Sequence, residues 1–200
     1  MNPFASSRRA TAASPGESLA FLRGFLRNPA QVGSVIPSSP QLEQRLLRCA
    51  NVAQARTLVE LGPGTGGTTR ALLGAMDPAA VLLGIELDAG FFAGLRRSIR
   101  DPRLILEHDS AERLGDLLDE HGLGAPDAIV SGIPFSTMPP AVSQRIAACI
   151  AKVLRPGGRF VAYQVRAHVA DYVAPHLGAP HKQWELLNIP PVRVFTWIKH

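Results

Sequence analysis

Residues Thr57 to Leu61 form a short apolar run that flows directly into Gly62-Pro63-Gly64-Thr65-Gly66, and a helix-like segment follows from Thr68 to Leu73. A strand feeding a glycine-rich turn lets backbone N–H groups approach a ligand that a Cβ would repel, and the turn then leads into a crossover helix. A second apolar run, Val81-Leu82-Leu83-Gly84-Ile85, ends on Glu86. A carboxylate about 20 residues beyond the turn can grip both hydroxyls of a ribose. These features predict a nucleoside-containing cofactor and an enzyme.

The rest of the chain extends the same rhythm. Strands are predicted at 57–61, 81–86, 103–107, 127–131 and 159–164, and helices at 67–75, 89–99, 111–120 and 140–154. Alternation of this kind gives a parallel sheet with helices on both faces. Arg155-Pro156-Gly157-Gly158 stops the last of these helices. Gln183–Asn188 and Val192–Ile198 are strand-like runs joined by Ile189-Pro190-Pro191, a connection short enough for an antiparallel hairpin. The expected fold class is therefore α/β: a doubly wound, mostly parallel sheet with a C-terminal antiparallel hairpin, preceded by N-terminal helices.

Three parts are expected along the chain. Residues 1–17, rich in Ser, Ala, Pro and Arg, read as a flexible tail. Residues 18–50 form a helical segment: Leu19, Phe21, Leu22, Phe25 and Leu26 share one side of a wheel with Arg23 and Arg27 on the other, Asn28-Pro29 ends that helix, and Ser39-Pro40 starts the next one, through Leu42, Leu46 and Leu47 to about Ala50. Residues 51–200 form the cofactor-binding domain. Cys49 and Cys149 lack metal or redox spacing and read as buried thiols of a reducing compartment; no metal site is expected. No apolar run is long enough to span a bilayer, and no secretory pattern follows Arg8 and Arg9.

Charge is distributed unevenly. Residues 1–50 carry six Arg against two Glu, residues 51–150 eight basic against twelve acidic side chains, and residues 151–200 seven basic against two acidic. Basic ends around a neutral-to-acidic middle favour an anionic partner, either nucleic acid or a membrane surface, although solvated arginines need no partner at all.

Three details favour S-adenosylmethionine over a dinucleotide. Glu60 precedes the glycines where a dinucleotide site usually has an apolar residue. Pro63 lacks the N–H donor that a phosphate cradle needs. The run at 103–107 ends in His108-Asp109-Ser110-Ala111, whose acid can accept a hydrogen bond from an adenine amino group.

Glu60-Leu61-Gly62-Pro63-Gly64-Thr65-Gly66, with Glu86, Asp109 and the final hairpin, resembles the class I methyltransferases. The resemblance implies that Gly62, Gly64, Thr65 and Gly66 line the methionine and ribose, that Glu86 binds the ribose hydroxyls, that Asp109, Ser110 and Ala111 meet the adenine, and that Glu60 lies near the methionine ammonium. S-adenosylhomocysteine would be the product. Phe25 to Ser39, with its Val32-Gly33-Ser34-Val35-Ile36-Pro37-Ser38-Ser39 stretch, and Ser131-Gly132-Ile133-Pro134-Phe135 are similar to the bacterial phospholipid N-methyltransferases, which act on phosphatidylethanolamine. That resemblance assigns membrane contact to Leu19–Arg27 and a lid to Val32–Ser39, with Ser38 among the cofactor-binding residues. It implies an anionic membrane surface and a phospholipid as partners, no nucleic acid, and a cytoplasmic location on the inner membrane face. Oligomeric state, the number of methyl groups and the exact headgroup stay open.

Ligands meet the carboxyl ends of strands in such a sheet, so Ser131 to Pro139 should border the transferred methyl. The segment looks like the Asn-Leu-Pro-Tyr motif of adenine N6-methyltransferases, with Ser131 where their Asn or Asp stands. The main-chain carbonyls of Ser131 and Ile133, Tyr163 placed after the fifth strand, and His108 are the candidates to orient the amine or take its proton. Phe135 and Tyr163 are candidates for cation–π contact with methylated intermediates, and Arg166, His168 and Arg193 for the lipid phosphate. Relatives in this family carry a Tyr nearer position 165, which is Val165 here. The alternatives are an rRNA adenine N6-dimethyltransferase-like enzyme, a methyltransferase for a soluble amine, and a cofactor-binding module without catalysis.

Overall fold

The computed structural model describes residues 38–200, so the expected helix at Leu19–Arg27 and most of the lid, Val32 to Pro37, lie outside the described residues. Helix α1 (Pro40–Ala50) starts where Ser39 accepts a hydrogen bond from the Leu42 N–H at 3.2 Å, with Pro40 in the first turn. It stops at Asn51 in the left-handed region (φ 53°). Leu42, Leu46 and Ala50, four residues apart, form its buried stripe. That stripe packs on the sheet, so the end of the 18–50 segment belongs to the same core as the rest of the chain.

The α/β part runs β1 (Thr57–Leu61), α2 (Gly67–Ala75), β2 (Val81–Ile85), α3 (Ala89–Ser98), β3 (Leu104–Glu107), a 3₁₀ turn at Ala111–Arg113 leading into α4 (Leu114–Glu120), β4 (Ala128–Ser131), α5 (Pro140–Val153), β5 (Arg159–Gln164), α6 (Val169–Leu177), β6 (His181–Glu185) and β7 (Val192–Ile198). The seven strands lie in the order β3-β2-β1-β4-β5-β7-β6, the first five parallel and β7 antiparallel to both β5 and β6. The expected fold class is therefore the observed one over the described residues.

Two cores explain why the central strands read as continuous apolar runs. Leu58, Leu82, Ala128, Val130 and Val161 face one side, under α1 and α2. Val59, Leu61, Leu83, Ile85, Ile129, Phe160 and Ala162 face the other, under α4, α5 and α6. The chain winds outward from β1 toward β3 and then returns to place β4 on the other flank of β1. This reversal opens a crevice at the carboxyl ends of β1 and β4, which is where ligands bind in open α/β sheets.

Four expectations need correction. Helix α6 was not predicted, because Val169, Val173 and Pro175 are weak helix formers; burial of Val169 and Val173 stabilises it. The last-but-one strand ends at Glu185 rather than Asn188, and Leu186 to Asn188 belong to the turn. The 111–120 helix opens as a 3₁₀ turn, with Ser110 accepting from the Glu112 N–H. Cys49 and Cys149 are half-buried rather than buried, and Cys49 Sγ lies 3.4 Å from Gln183 Oε1.

Candidate active site

The glycine-rich turn begins as β1 ends. Gly62, Gly64 and Gly66 all have positive φ (74°, 59° and 84°), a region that costs an L side chain roughly 1 kcal/mol or more. A Cβ on Gly62 would also stand 2.8 Å from Ile133 Cγ2, whereas the space beside Gly64 is open. The turn is pinned by Gly62 N donating to the Ile85 carbonyl (3.0 Å) and Gly66 N to the Pro63 carbonyl (3.0 Å). Thr65 is exposed at its tip.

Behind the turn lies a buried carboxylate. Glu60 is on the α2 side of the sheet, 1% exposed, and Thr69 Oγ1 donates to its Oε2 at 2.6 Å. Its Oε1 is buried with no hydrogen-bond partner among the described residues. Burial pushes the Glu60 carboxyl up to about 7, against the pull of Thr69 and with a further push from Glu86. Glu86, directly after β2, accepts from Gly64 N and Asp88 N, both at 2.8 Å; burial raises its carboxyl more than these N–H groups lower it. At the end of β3, Asp109 accepts from Ser110 N (2.7 Å) and from the Arg113 guanidinium (2.6 Å), and Ala111 opens the adjoining turn. Glu60, Glu86 and Asp109 thus stand at the ends of three neighbouring strands, two strand spacings or about 10 Å across, a distance a nucleoside can span.

On the other flank of β1, Ser131 ends β4 and its Oγ is buried without a partner among the described residues. The next residue, Gly132, has no room for a side chain: a Cβ would stand 2.6 Å from Tyr163 Oη and 3.2 Å from the Gly62 carbonyl oxygen. Tyr163 lies within β5, not after it, and burial raises its phenol, so the hydroxyl stays neutral. It is 3.4 Å from Thr68 Oγ1, which is itself 3.2 Å from Ser38 Oγ. One compact group therefore contains Glu60, Gly62, Gly132, Tyr163 and Ser38, joined by Thr68 and Thr69 of the first turn of α2.

The other candidates are either remote from this group, as His108 is, or beside it but already engaged, as Ile133 is. His108 Nε2 lies 3.2 Å from the Leu87 carbonyl, and its ring stacks on Phe92. It sits at the β3 edge, three strand spacings (about 14 Å) from β4. The Ile133 carbonyl is taken: Gln164 Nε2 donates to it at 2.7 Å and Phe135 N at 3.1 Å, which fills both lone pairs. Phe135 is fully buried beside Tyr172 and offers no face to a cation. Sequence reasoning missed Thr68, Thr69 and Gln164. A pair of hydroxyl residues just after the glycines was a usable signal for the first two. Gln164 had none, because its role depends on the loop that folds over it.

The residues present fit the expected cofactor. A buried carboxylate oxygen without a partner, beside a cradle of glycines, suits a ligand with a cationic amino-acid end.

Comparison with known proteins agrees with this geometry. No family model matches the chain. It is 30% identical over 142 residues to an ornithine lipid N-methyltransferase of Singulisphaera acidiphila, covering 70% of this chain and 73% of that one. It is 29% identical over 174 residues to ribosomal RNA small subunit methyltransferase A of Nocardia farcinica, covering 82% of this chain but only 55% of that enzyme. In fold it is similar to the 1,6-didemethyltoxoflavin-N1-methyltransferase of Burkholderia thailandensis solved with S-adenosylhomocysteine, with a TM-score of 0.68 at 17% identity, over 96% of this chain and 92% of that one.

Proposed function

The chain belongs to the class I S-adenosylmethionine-dependent methyltransferases, in the family of the Singulisphaera lipid N-methyltransferase, and from that premise we propose that it methylates the amine of a membrane lipid headgroup, phosphatidylethanolamine first among the candidates. It is an N-methyltransferase that draws its methyl group from S-adenosylmethionine.

One observation supports a flexible amine over a nucleobase. An enzyme that works on a flipped base holds it by stacking and by hydrogen bonds to its edge. Here the loop after β4 carries Ser131 in place of a carboxamide, and its aromatic residue, Phe135, is turned wholly into the core. Among the described residues that loop turns no ring toward the crevice to stack on a base, and an amine on a freely rotating chain needs none.

S-adenosylmethionine supplies an electrophilic methyl on a sulfonium, open to in-line attack by a neutral amine. Glu60 Oε1 would take the cationic amino-acid end, and Glu86 would exchange its bond with Gly64 N for the ribose hydroxyls. Asp109, Ser110 and Ala111 would border the adenine. The neutral Tyr163 hydroxyl, against the bare Cα of Gly132, would accept an amine N–H and aim the lone pair. Alignment and exclusion of water then account for most of what the protein contributes.

The test is methyl transfer by the full-length protein to vesicles containing phosphatidylethanolamine, read by mass spectrometry. Added methyl masses on the lipid are expected. Transfer to small-subunit ribosomal RNA with none to lipid would overturn the reading, as would transfer to free ethanolamine alone.

A further inference from the structure

The connection between β6 and β7 is inside out. Its polar residues are buried: Glu185 is 3% exposed and Asn188 0%. Its large apolar residues face solvent: Leu186 is 69% exposed, Leu187 67% and Ile189 88%, with Trp184 at 52% beside them. Isolated exposed apolar side chains are ordinary, but three aliphatics and a Trp around one tip form a patch.

The tip is built, not loose. Glu185 accepts from Arg45 Nε at 2.8 Å and from Leu187 N at 3.1 Å. Asn188 accepts from Ser39 N at 2.8 Å and donates to the Pro190 carbonyl at 3.0 Å. These bonds tie the Glu185 and Asn188 side chains to the N-terminal half of α1 and its cap and leave the aliphatic side chains exposed.

Its position and charge identify what it faces. In the antiparallel register Gln164 pairs with Arg193 and Glu185 with Val192, so the tip stands at the same end of the sheet as the glycine-rich turn and the Ser131–Pro139 loop. Arg193 stacks over the Trp184 ring at 4.4 Å, and exposed Arg166 and His168 follow β5 at the same end. From Arg166 to His200 the acids are Asp171 and Glu185, and Arg45 neutralises the second. Apolar side chains flanked by Arg193 and Arg166, with a Trp at the boundary, match the interface of an anionic bilayer.

We propose that the β6–β7 tip is a membrane-docking surface, inserting Leu186, Leu187 and Ile189 among the acyl chains of an anionic bilayer and setting the mouth of the site against the headgroups. The proposal rests on the lipid-headgroup reading, and its test separates the two.

The full-length protein and a Leu186→Ser/Ile189→Ser variant are floated with phosphatidylcholine vesicles with and without phosphatidylglycerol. Cofactor affinity by calorimetry checks that the variant is folded, since neither residue touches the crevice. The wild type should bind, more tightly with phosphatidylglycerol, and the variant at least roughly tenfold more weakly. Equal partition of the two proteins would overturn the proposal. So would loss of vesicle binding on deleting residues 1–27 with none on changing the tip, which would give docking to that segment. A variant that turned a dimer into a monomer with vesicle binding intact would make the patch an interface between copies instead. Transfer to phosphatidylethanolamine in detergent micelles reads the chemistry without docking. Activity there with equal partition sinks the docking surface alone, and tip-dependent binding without lipid methylation sinks the substrate reading alone.

Discussion

If Glu60 takes the cationic end of the cofactor as proposed, it should set a pH dependence on cofactor binding, with a size that follows from its surroundings. The carboxyl is lifted from 4.5 to about 7 because its charge is buried and its Oε1 has no partner among the described residues. A cationic group arriving at Oε1 binds the ionised form, so a protonated Glu60 must first give up its proton. At about pH 7 half of the molecules are ionised and at about pH 5.5 about one in thirty, so affinity should fall about fifteenfold between those values. Binding at about pH 6.5 should release most of a proton, seen by titration calorimetry in buffers of different ionisation enthalpy. Glu60→Gln should bind more weakly at neutrality and lose the slope. The ligand-free protein should behave in the opposite sense. Between pH 4.5 and about 7 the folded state holds more protons than the unfolded one, so this group's contribution to stability is complete below 4.5 and is lost as pH rises through 7, at most about 3 kcal/mol. A wild-type affinity that is flat from pH 5.5 to 7, or a slope that survives in Glu60→Gln, would refute the placement of a cation at this oxygen.

Two further outcomes follow from packing. Gly132→Ala puts a methyl 2.6 Å from Tyr163 Oη and should displace that ring, lowering kcat about tenfold or more, equivalent to 1–3 kcal/mol, with cofactor affinity changed less; adding Tyr163→Phe should not restore kcat if the hydroxyl aims the amine. Asp127→Ala removes the acceptor for Arg56 N (2.8 Å) and Thr57 N (2.9 Å) at the start of β1, and should cost about 2 kcal/mol in urea unfolding while leaving cofactor affinity unchanged, because it lies at the opposite end of the strands.

The elements that line the proposed cofactor crevice were legible because each carries a local signature. The glycines between β1 and α2 state their need for positive φ, Glu86 follows an apolar run directly, and Ser39-Pro40 marks the start of α1. The acceptor side was less legible because its residues act through contacts remote in sequence. Ile133 and Gln164 are 31 residues apart, and nothing near Ile133 shows that its carbonyl is already occupied. Phe135 and Leu186 look alike in sequence, each an apolar residue beside a strand end, yet one is fully buried and the other 69% exposed. Leu186-Leu187 extended the predicted strand for the same reason: hydrophobicity implies burial by default, and here the partner is not the protein's own core.

Ser38 and Ser39 connect the two halves of this picture. Ser39 N is held by Asn188 at the base of the apolar tip, and Ser38 Oγ by Thr68, which also reaches Tyr163. The neighbouring Thr69 holds Glu60. Two consecutive residues thus bond in one direction to the hairpin and in the other to the floor of the cofactor crevice. A displacement of the tip against a bilayer would act on Ser39 and, through one peptide unit, on the hydroxyls around Tyr163. Because Asn188 is fully buried and both its amide groups are engaged, such a displacement would break or carry along a bond that water cannot readily replace. Docking and the alignment of the amine would in that case share one mechanical element, the N-terminus of α1, rather than being separate properties of one fold.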